Sequence, residues 1–329
     1  MTALVLRLPD IHKRWPFPIV YSRWEDTVSP ETLAWLESLS ILSAAHLRKY
    51  HEPVNFCHLT SMAYAHFADR EQFRVACDML NILFVVDDIT DNMSAAEVRQ
   101  MSVISLEGLR DWETPRPSME HPVGELHRSF SERFRGVASS YLVDRFITNY
   151  ELHLKAVVDE ADERDRNVAQ YQCASTYFLY RTKSRRVFLN DARVVRVERL
   201  GNDLLQSAIT NVDSQDIVSF NVEQARNAPH NAVIVVMHEW GLSAQDALDF
   251  VGRWYCEAAE EFLEAMQDLP PCSVTIRTRV KAYFHAIGTW VTSNYEWGLR
   301  TRRYFPADHK PLENGWVVPL LEVDGETQT

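Results

Sequence analysis

The chain has 329 residues, with 10 glycines, 14 prolines, 46% hydrophobic and 11% aromatic residues. That composition suits long helices around a large core and leaves little room for a β-rich or disordered architecture. A formal net charge of −12 argues against non-specific binding to nucleic acid or to an anionic membrane.

The five cysteines, Cys57, Cys77, Cys173, Cys256 and Cys272, are scattered and form no CxxC pair. They read as reduced thiols of a cytoplasmic protein. The N-terminal apolar run is too short and too soon broken for a signal peptide. No apolar stretch approaches the ~18 residues that would span a bilayer.

In chain order, Ser29-Pro30-Glu31 reads as an N-cap with proline at the first helical position. Next, the apolar stretch from Asn81 to Val86 runs directly into three carboxylates. On a helix, Leu80, Phe84, Asp87 and Asp91 share one face, and Asp88 lies beside them. At a helix C-terminus those charges would meet the negative end of the helix dipole, so a cation is expected to offset them. Hard divalent cations prefer carboxylate oxygens, and Mg²⁺ leaves positions open for water and substrate phosphate.

Ser94-Ala-Ala-Glu97 is a capping box that opens the next helix. Three prolines, Pro115, Pro117 and Pro122, mark 112–122 as a loop. The acid-rich run Asp159–Asp165 reads as a solvated helix face. Gln215, Ser219 and Glu223, at i, i+4 and i+8, drift by only about 80° around a helix and so form one stripe. An amide oxygen, a hydroxyl and a carboxylate at one-turn intervals can hold one hard cation.

Ser243 to Asp246 starts a long helix whose apolar positions Leu248, Val251, Tyr255, Ala258, Phe262 and Met266 keep steps of three and four. Pro270-Pro271 stops it, and Val274 to about Arg302 reads as a final long helix. No linker or repeat divides the chain. One all-α domain over 1–305 is therefore expected, with a mobile tail over 306–329.

The two oxygen-rich clusters, in this order, resemble those of the class I terpene synthases, specifically the sesquiterpene synthases of mushroom-forming fungi. The family's aspartate-rich motif matches Asp87, Asp88 and Asp91 within Phe84-Val-Val-Asp-Asp-Ile-Thr-Asp-Asn-Met-Ser. Its second motif, NDxxSxxxE, matches Asp216, Ser219 and Glu223. Gln215 stands where that motif opens with asparagine, offering the same amide oxygen on a side chain one methylene longer, so asparagine at 215 is expected to be tolerated. The closing Arg-Tyr pair matches Arg303-Tyr304, and the opening Arg7-Leu-Pro-Asp10 also fits, so the likeness covers residues 6–305. Tyr177-Phe-Leu-Tyr-Arg181 resembles the setting of the pyrophosphate-sensing arginine. The run from Arg181 to the second motif is shorter than in the family.

The resemblance implies a single-domain, class I terpenoid synthase-like helical bundle around an apolar cavity. It implies a carbon–oxygen lyase that ionises a prenyl diphosphate, farnesyl or also geranyl, to a terpene hydrocarbon or alcohol. Asp87, Asp88, Asp91, Gln215, Ser219 and Glu223 would hold Mg²⁺, three ions in the family's pattern, with Mn²⁺ as a substitute. Arg181, Arg303 and Tyr304 would grip the diphosphate and, with Asp87, carry the catalysis. Neutralising the charge on the leaving group lets the carbon–oxygen bond ionise without a protein nucleophile.

Phe84 and Trp297 match family positions that face the reacting chain. Ring faces there would stabilise a carbocation by about 0.5–2 kcal/mol each. The shortened run after Arg181 loosens the hold on that cation and favours an acyclic alcohol of the linalool or nerolidol type. The expected partner is the prenyl diphosphate alone, with no nucleic acid and no membrane span, on a monomer or homodimer. Two other readings stay open. A chain-elongating prenyl transferase would carry two DDxxD motifs where this chain has one. A non-catalytic prenyl-diphosphate-binding protein would release no pyrophosphate.

Overall fold

The computed structural model describes residues 5–51, 54–91, 93–166, 214–228, 230–267, 272–305, 311–313 and 315–322. Among these residues the fold is all-α apart from two short strands, β1 (Val5–Arg7) and β2 (Val317–Pro319). Residues 20–166 pack as one compact unit, and residues 5–19 pack with those from 214 onward as a second. No helix among the described residues is long and apolar enough to cross a membrane.

The first unit holds α1 (Glu25–Ser38), α2 (Ala44–His51), α3 (Phe56–Ala63), α4 (Arg70–Thr90), α5 (Ala95–Arg110), α6 (Val123–Val137) and α7 (Ser140–Asp165). The start of α1 corrects the sequence reading. The helix begins at Glu25, and Pro30 lies inside it. Proline removes one backbone hydrogen bond at a cost of about 3 kcal/mol. Val28, in the turn ahead of the proline, is buried and contributes about 1.5–3 kcal/mol, which offsets much of that cost.

The capping box at Ser94 forms as expected. The Ser94 backbone N–H donates to Glu97 Oε2 at 2.8 Å, and the Glu97 N–H donates back to Ser94 Oγ at 3.4 Å. Residues 112–122 are irregular up to the first residue of α6.

One buried charge organises this unit. Asp78 in α4 is fully buried. It accepts from Thr32 Oγ1 at 2.9 Å, Arg74 Nε at 2.7 Å and Arg133 Nε at 2.8 Å, tying α1 and α6 to α4. Every one of those bonds ends on the same carboxylate, so the three helices share one electrostatic anchor.

His127 is a second buried polar anchor. Its Nδ1–H donates to the Val123 carbonyl at 2.8 Å, and its Nε2 accepts from the Tyr150 hydroxyl at 2.7 Å. That pairing fixes the neutral tautomer. Burial lowers its pKa from 6.5 to about 4. In the second unit, burial lowers that of His12 to about 3.

Both imidazoles ionise near pH 6.5 once unfolded, so below that pH the unfolded chain binds the extra protons. Stability is therefore full above pH 6.5 and falls as the pH drops toward the folded values. Thermal melts should show a midpoint that decreases progressively from pH 7 to pH 5. His127→Gln, which keeps a donor and an acceptor but cannot titrate, should flatten that slope. An unchanged slope would contradict the assignment.

The second unit holds residues 214–225 (α8), α9 (Ala232–Trp240), α10 (Ala244–Gln267) and α11 (Val274–Arg300). Ser243 caps α10 as expected, its hydroxyl accepting from the Asp246 N–H at 3.2 Å. The N-terminal segment lies along α11. Trp15 Nε1 donates to the Gly288 carbonyl at 3.0 Å, and the Tyr295 hydroxyl donates to the Pro9 carbonyl at 2.8 Å. A Cβ on Gly288 would sit 2.4 Å from the Phe17 ring, so only glycine lets the segment approach this closely. In the same way a Cβ on Gly298 would come within 2.6 Å of the Val218 side chain. That contact sets α8 directly against the end of α11.

The chain after Phe305 does not behave as a mobile tail throughout. Leu6 of β1 pairs with Val318 of β2 in an antiparallel ladder. Asn221 in α8 clips the following residues, donating to the Pro319 carbonyl at 2.9 Å and accepting from the Leu321 N–H at 3.0 Å. The departure has a local cause. Val317 and Val318 are β-branched and supply an apolar strand where the prolines around them signalled only a break.

Candidate active site

The aspartate-rich motif sits where the sequence places it. Helix α4 runs to Thr90, and Asp91 is its C-cap. Asp87 and Asp91 are exposed and Asp88 is half-buried. The last turn of α4 contains no basic residue of its own. A positive charge reaches this helix end from α7, where Arg164 Nη2 donates to the Thr90 carbonyl at 2.8 Å. This arginine covers the negative end of the α4 dipole where the acidic cluster sits. The acid-rich run at the end of α7 is thus only partly a solvated face. Its Asp165 accepts from the Ala95 N–H at 2.8 Å, and its Asp162 pairs with Arg99.

Asp88 is set apart from its neighbours by Tyr50, whose hydroxyl donates to Asp88 Oδ2 at 2.7 Å. Tyr50 in turn packs edge-on to Phe56, and Phe56 stacks on Phe84 with ring centroids 3.7 Å apart. Phe84 therefore belongs to an aromatic column directly beneath the acidic cluster. Sequence reasoning misses Tyr50, because it lies in α2, far from the motif in the chain.

The second motif occupies α8, in the other compact unit. Its stripe divides. Gln215 donates through Nε2 to the Tyr304 hydroxyl. Ser219 and Glu223 meet at Asn231, the N-cap of α9. Asn231 Nδ2 donates to Glu223 Oε2 at 2.8 Å and lies 3.4 Å from Ser219 Oγ. Asp216, inside the motif, is fully buried and its carboxylate accepts from the Ala232 N–H at 2.8 Å. It serves the start of α9.

Tyr304 is buried and Arg303 half-buried just beyond the end of α11. The Tyr304 ring meets Trp297 edge-on, at 5.9 Å between centroids and 88° between planes. Trp297 itself is 2% exposed. Within this unit the structure brings together Gln215, Trp297 and Tyr304, and separately Ser219 and Glu223. Arg181 lies outside the described residues.

The Gln215–Tyr304 bond bears on the expectation that asparagine would be tolerated at 215. A shorter side chain gives up this bond. A hydrogen bond of this kind is worth about 0.5–1.5 kcal/mol net. Gln215→Asn should therefore lower kcat/KM by roughly twofold to tenfold, and Tyr304→Phe should do so at least as much. Because each removes the same contact, the double variant should fall short of the product of the two losses. Fully multiplicative losses would separate the two residues.

Among the described residues, no three His, Cys, Asp or Glu side chains converge as a ready ligand set. The candidate donors are oxygens in both units: in the first, the exposed carboxylates of Asp87 and Asp91 at the end of α4; in the second, the hydroxyl and carboxylate of Ser219 and Glu223, which meet at Asn231. Oxygen donors few in number suit Mg²⁺, which keeps water and phosphate in its remaining positions, and do not suit a soft metal.

Comparison with known proteins identifies the family and the fold. A family model described as terpene synthase family 2, C-terminal metal binding, matches residues 78–261, which span both motifs. A Δ(6)-protoilludene synthase of Stereum hirsutum is 30% identical over 312 residues, covering 91% of this chain and 84% of the relative. Sesquiterpene synthase 9 of Postia placenta is 27% identical over 330 residues, covering 96% of this chain and 94% of its own. The crystal structure of α-eudesmol synthase superposes with a TM-score of 0.74 at 20% identity, over 86% of this chain and 97% of that one. With the matched family model spanning more than half its length, the chain belongs to the terpene synthase family and has the class I terpenoid cyclase fold.

Proposed function

We propose that this protein ionises farnesyl diphosphate with the help of Mg²⁺ and converts the resulting allylic cation into a sesquiterpene. One observation carries the reading. On α8, a hydroxyl and a carboxylate are held together by one buried amide, and the same helix bonds directly to Tyr304 of the Arg-Tyr pair. Such a cluster has the oxygen donors for a hard cation and, beside them, the groups for a diphosphate. The relatives named as sesquiterpene synthases support farnesyl diphosphate as the substrate, with geranyl diphosphate as a second.

In this mechanism Asp87 and Asp91 offer one set of oxygens, with Asp88 steadied by Tyr50. Ser219 and Glu223 offer the other, with Gln215 next to them. These residues would hold Mg²⁺ (three ions in the family's pattern, replaceable by Mn²⁺), which would supply neutralising charge to the departing diphosphate. Arg303 and the Tyr304 hydroxyl bind diphosphate oxygens from the protein side, together with Arg181. The carbon–oxygen bond then breaks heterolytically. Both electrons leave with pyrophosphate, and the cation remains on the prenyl chain. On the family resemblance, Phe84 and Trp297 would supply ring faces to that cation.

An acyclic alcohol of the linalool or nerolidol type is the product that the abbreviated run after Arg181 favours, through early capture by water. The test is incubation with each diphosphate and Mg²⁺, followed by gas chromatography and mass spectrometry. Metal-dependent sesquiterpene formation from farnesyl diphosphate supports the reading. A longer prenyl diphosphate as product would instead identify a chain-elongating transferase, and no product from either substrate would favour a binding protein.

A further inference from the structure

The structure points to a residue that the motifs do not contain. We infer that Asn231 is a positioning residue for the metal-binding face of α8, and this rests on the function proposed above.

Asn231 is 0% exposed, and both ends of its side-chain amide are used. Its Oδ1 accepts from the Val233 N–H at 2.8 Å and so starts α9. Its Nδ2 donates to the Asp216 carbonyl at 2.8 Å and to Glu223 Oε2 at 2.8 Å, with Ser219 Oγ at 3.4 Å. The backbone at 231 is extended, at φ −143° and ψ 135°. This lets the side chain turn back toward α8 while the main chain enters α9. Asp216 reinforces the same junction by accepting from the Ala232 N–H at 2.8 Å.

The arrangement does more than begin a helix. An N-cap needs only the acceptor end of the amide. Here the donor end is spent on a carboxylate and lies close to a hydroxyl. Those two groups sit one turn apart on α8 and are two of the three oxygen donors expected of the second motif. A neutral amide can bind an ionised carboxylate without cancelling its charge, so Glu223 keeps its attraction for a cation while its orientation is fixed. Lysine or arginine in that place would fix it equally well but compete with the metal. Groups that orient metal ligands in this way typically matter by 10–100-fold in metal affinity.

The capping and positioning roles can be separated. Serine and aspartate both rank with asparagine as N-caps. Serine is too short to reach Glu223, and aspartate offers it no donor. For Asn231→Ser and Asn231→Asp, two quantities are measured beside wild type. One is binding of inorganic pyrophosphate in the presence of Mg²⁺, by calorimetry. The other is the Mg²⁺ concentration that half-saturates turnover of farnesyl diphosphate.

In either folded variant, pyrophosphate binding should weaken and half-saturating Mg²⁺ should rise, each by about tenfold or more. Turnover should recover substantially at high Mg²⁺. A folded variant whose only change is a lower melting temperature, with wild-type Mg²⁺ dependence and pyrophosphate binding, would overturn the inference. If the wild-type chain itself bound no pyrophosphate with Mg²⁺, the proposed function would fail first, and the role of Asn231 with it.

Discussion

Replacing Asp87 with alanine should reduce turnover of farnesyl diphosphate by about a hundredfold to a thousandfold, the loss typical of removing one group that stabilises transition-state charge. The fold should hardly notice. Asp87 is exposed on the last turn of α4, and surface substitutions away from buried networks usually stay within about 0.5 kcal/mol. Alanine also removes a negative charge from the negative end of a helix dipole, which favours the helix slightly. The expected result is thus a dead enzyme with an unchanged or marginally higher melting temperature. Circular dichroism melts alongside steady-state kinetics at saturating Mg²⁺ decide the point. Activity above a few per cent of wild type would remove Asp87 from the mechanism.

The opposite pattern is expected at Asp78, only nine positions earlier on the same helix. Asp78→Ala leaves the Arg74 and Arg133 guanidinium groups without the carboxylate that receives both of their Nε–H donors. It also strands the Thr32 hydroxyl. Breaking a buried ion pair from one side costs about 3–5 kcal/mol, because the remaining charge stays in a low-dielectric setting. For a protein of this size that corresponds to a fall of roughly 4–7 °C in melting temperature. When Arg74 is removed, Asp78 keeps Arg133 and Thr32 as partners, so Arg74→Ala should cost less than Asp78→Ala. A drop of less than about 2 °C for Asp78→Ala would show that the carboxylate does not anchor α1 and α6. The two variants together separate chemistry from architecture on a single helix.

Much of this was legible in the sequence because it is local. The Ser94 and Ser243 caps, the acidic face at Asp87 and Asp91, and the Ser219–Glu223 stripe depend only on residues a turn or two apart. Pro30 misled because the cap statistics favour proline at a helix start, whereas α1 begins at Glu25 and buries Val28 ahead of the proline. Tyr50, Arg164 and Tyr304 reach their partners across 38, 74 and 89 positions. No periodicity registers pairings at that distance.

Asn231 is the instructive case. An asparagine directly before the apolar run Ala232–Val236 is a visible N-cap signal, and it could have been found. Its second task could not, because that requires the turn after α8 to fold the chain back on Glu223. The change to Gln215 was visible from the start. Only the structure supplies its physical reason, a longer arm that reaches Tyr304.

Pyrophosphate release tests the central claim most directly. Wild-type protein incubated with farnesyl diphosphate should release pyrophosphate in Mg²⁺, in step with sesquiterpene formation, and release none once the metal is chelated with EDTA. Adding Mg²⁺ back should restore the rate. Release that continues undiminished in EDTA, or intact farnesyl diphosphate recovered after prolonged incubation with Mg²⁺, would contradict metal-assisted ionisation by this chain.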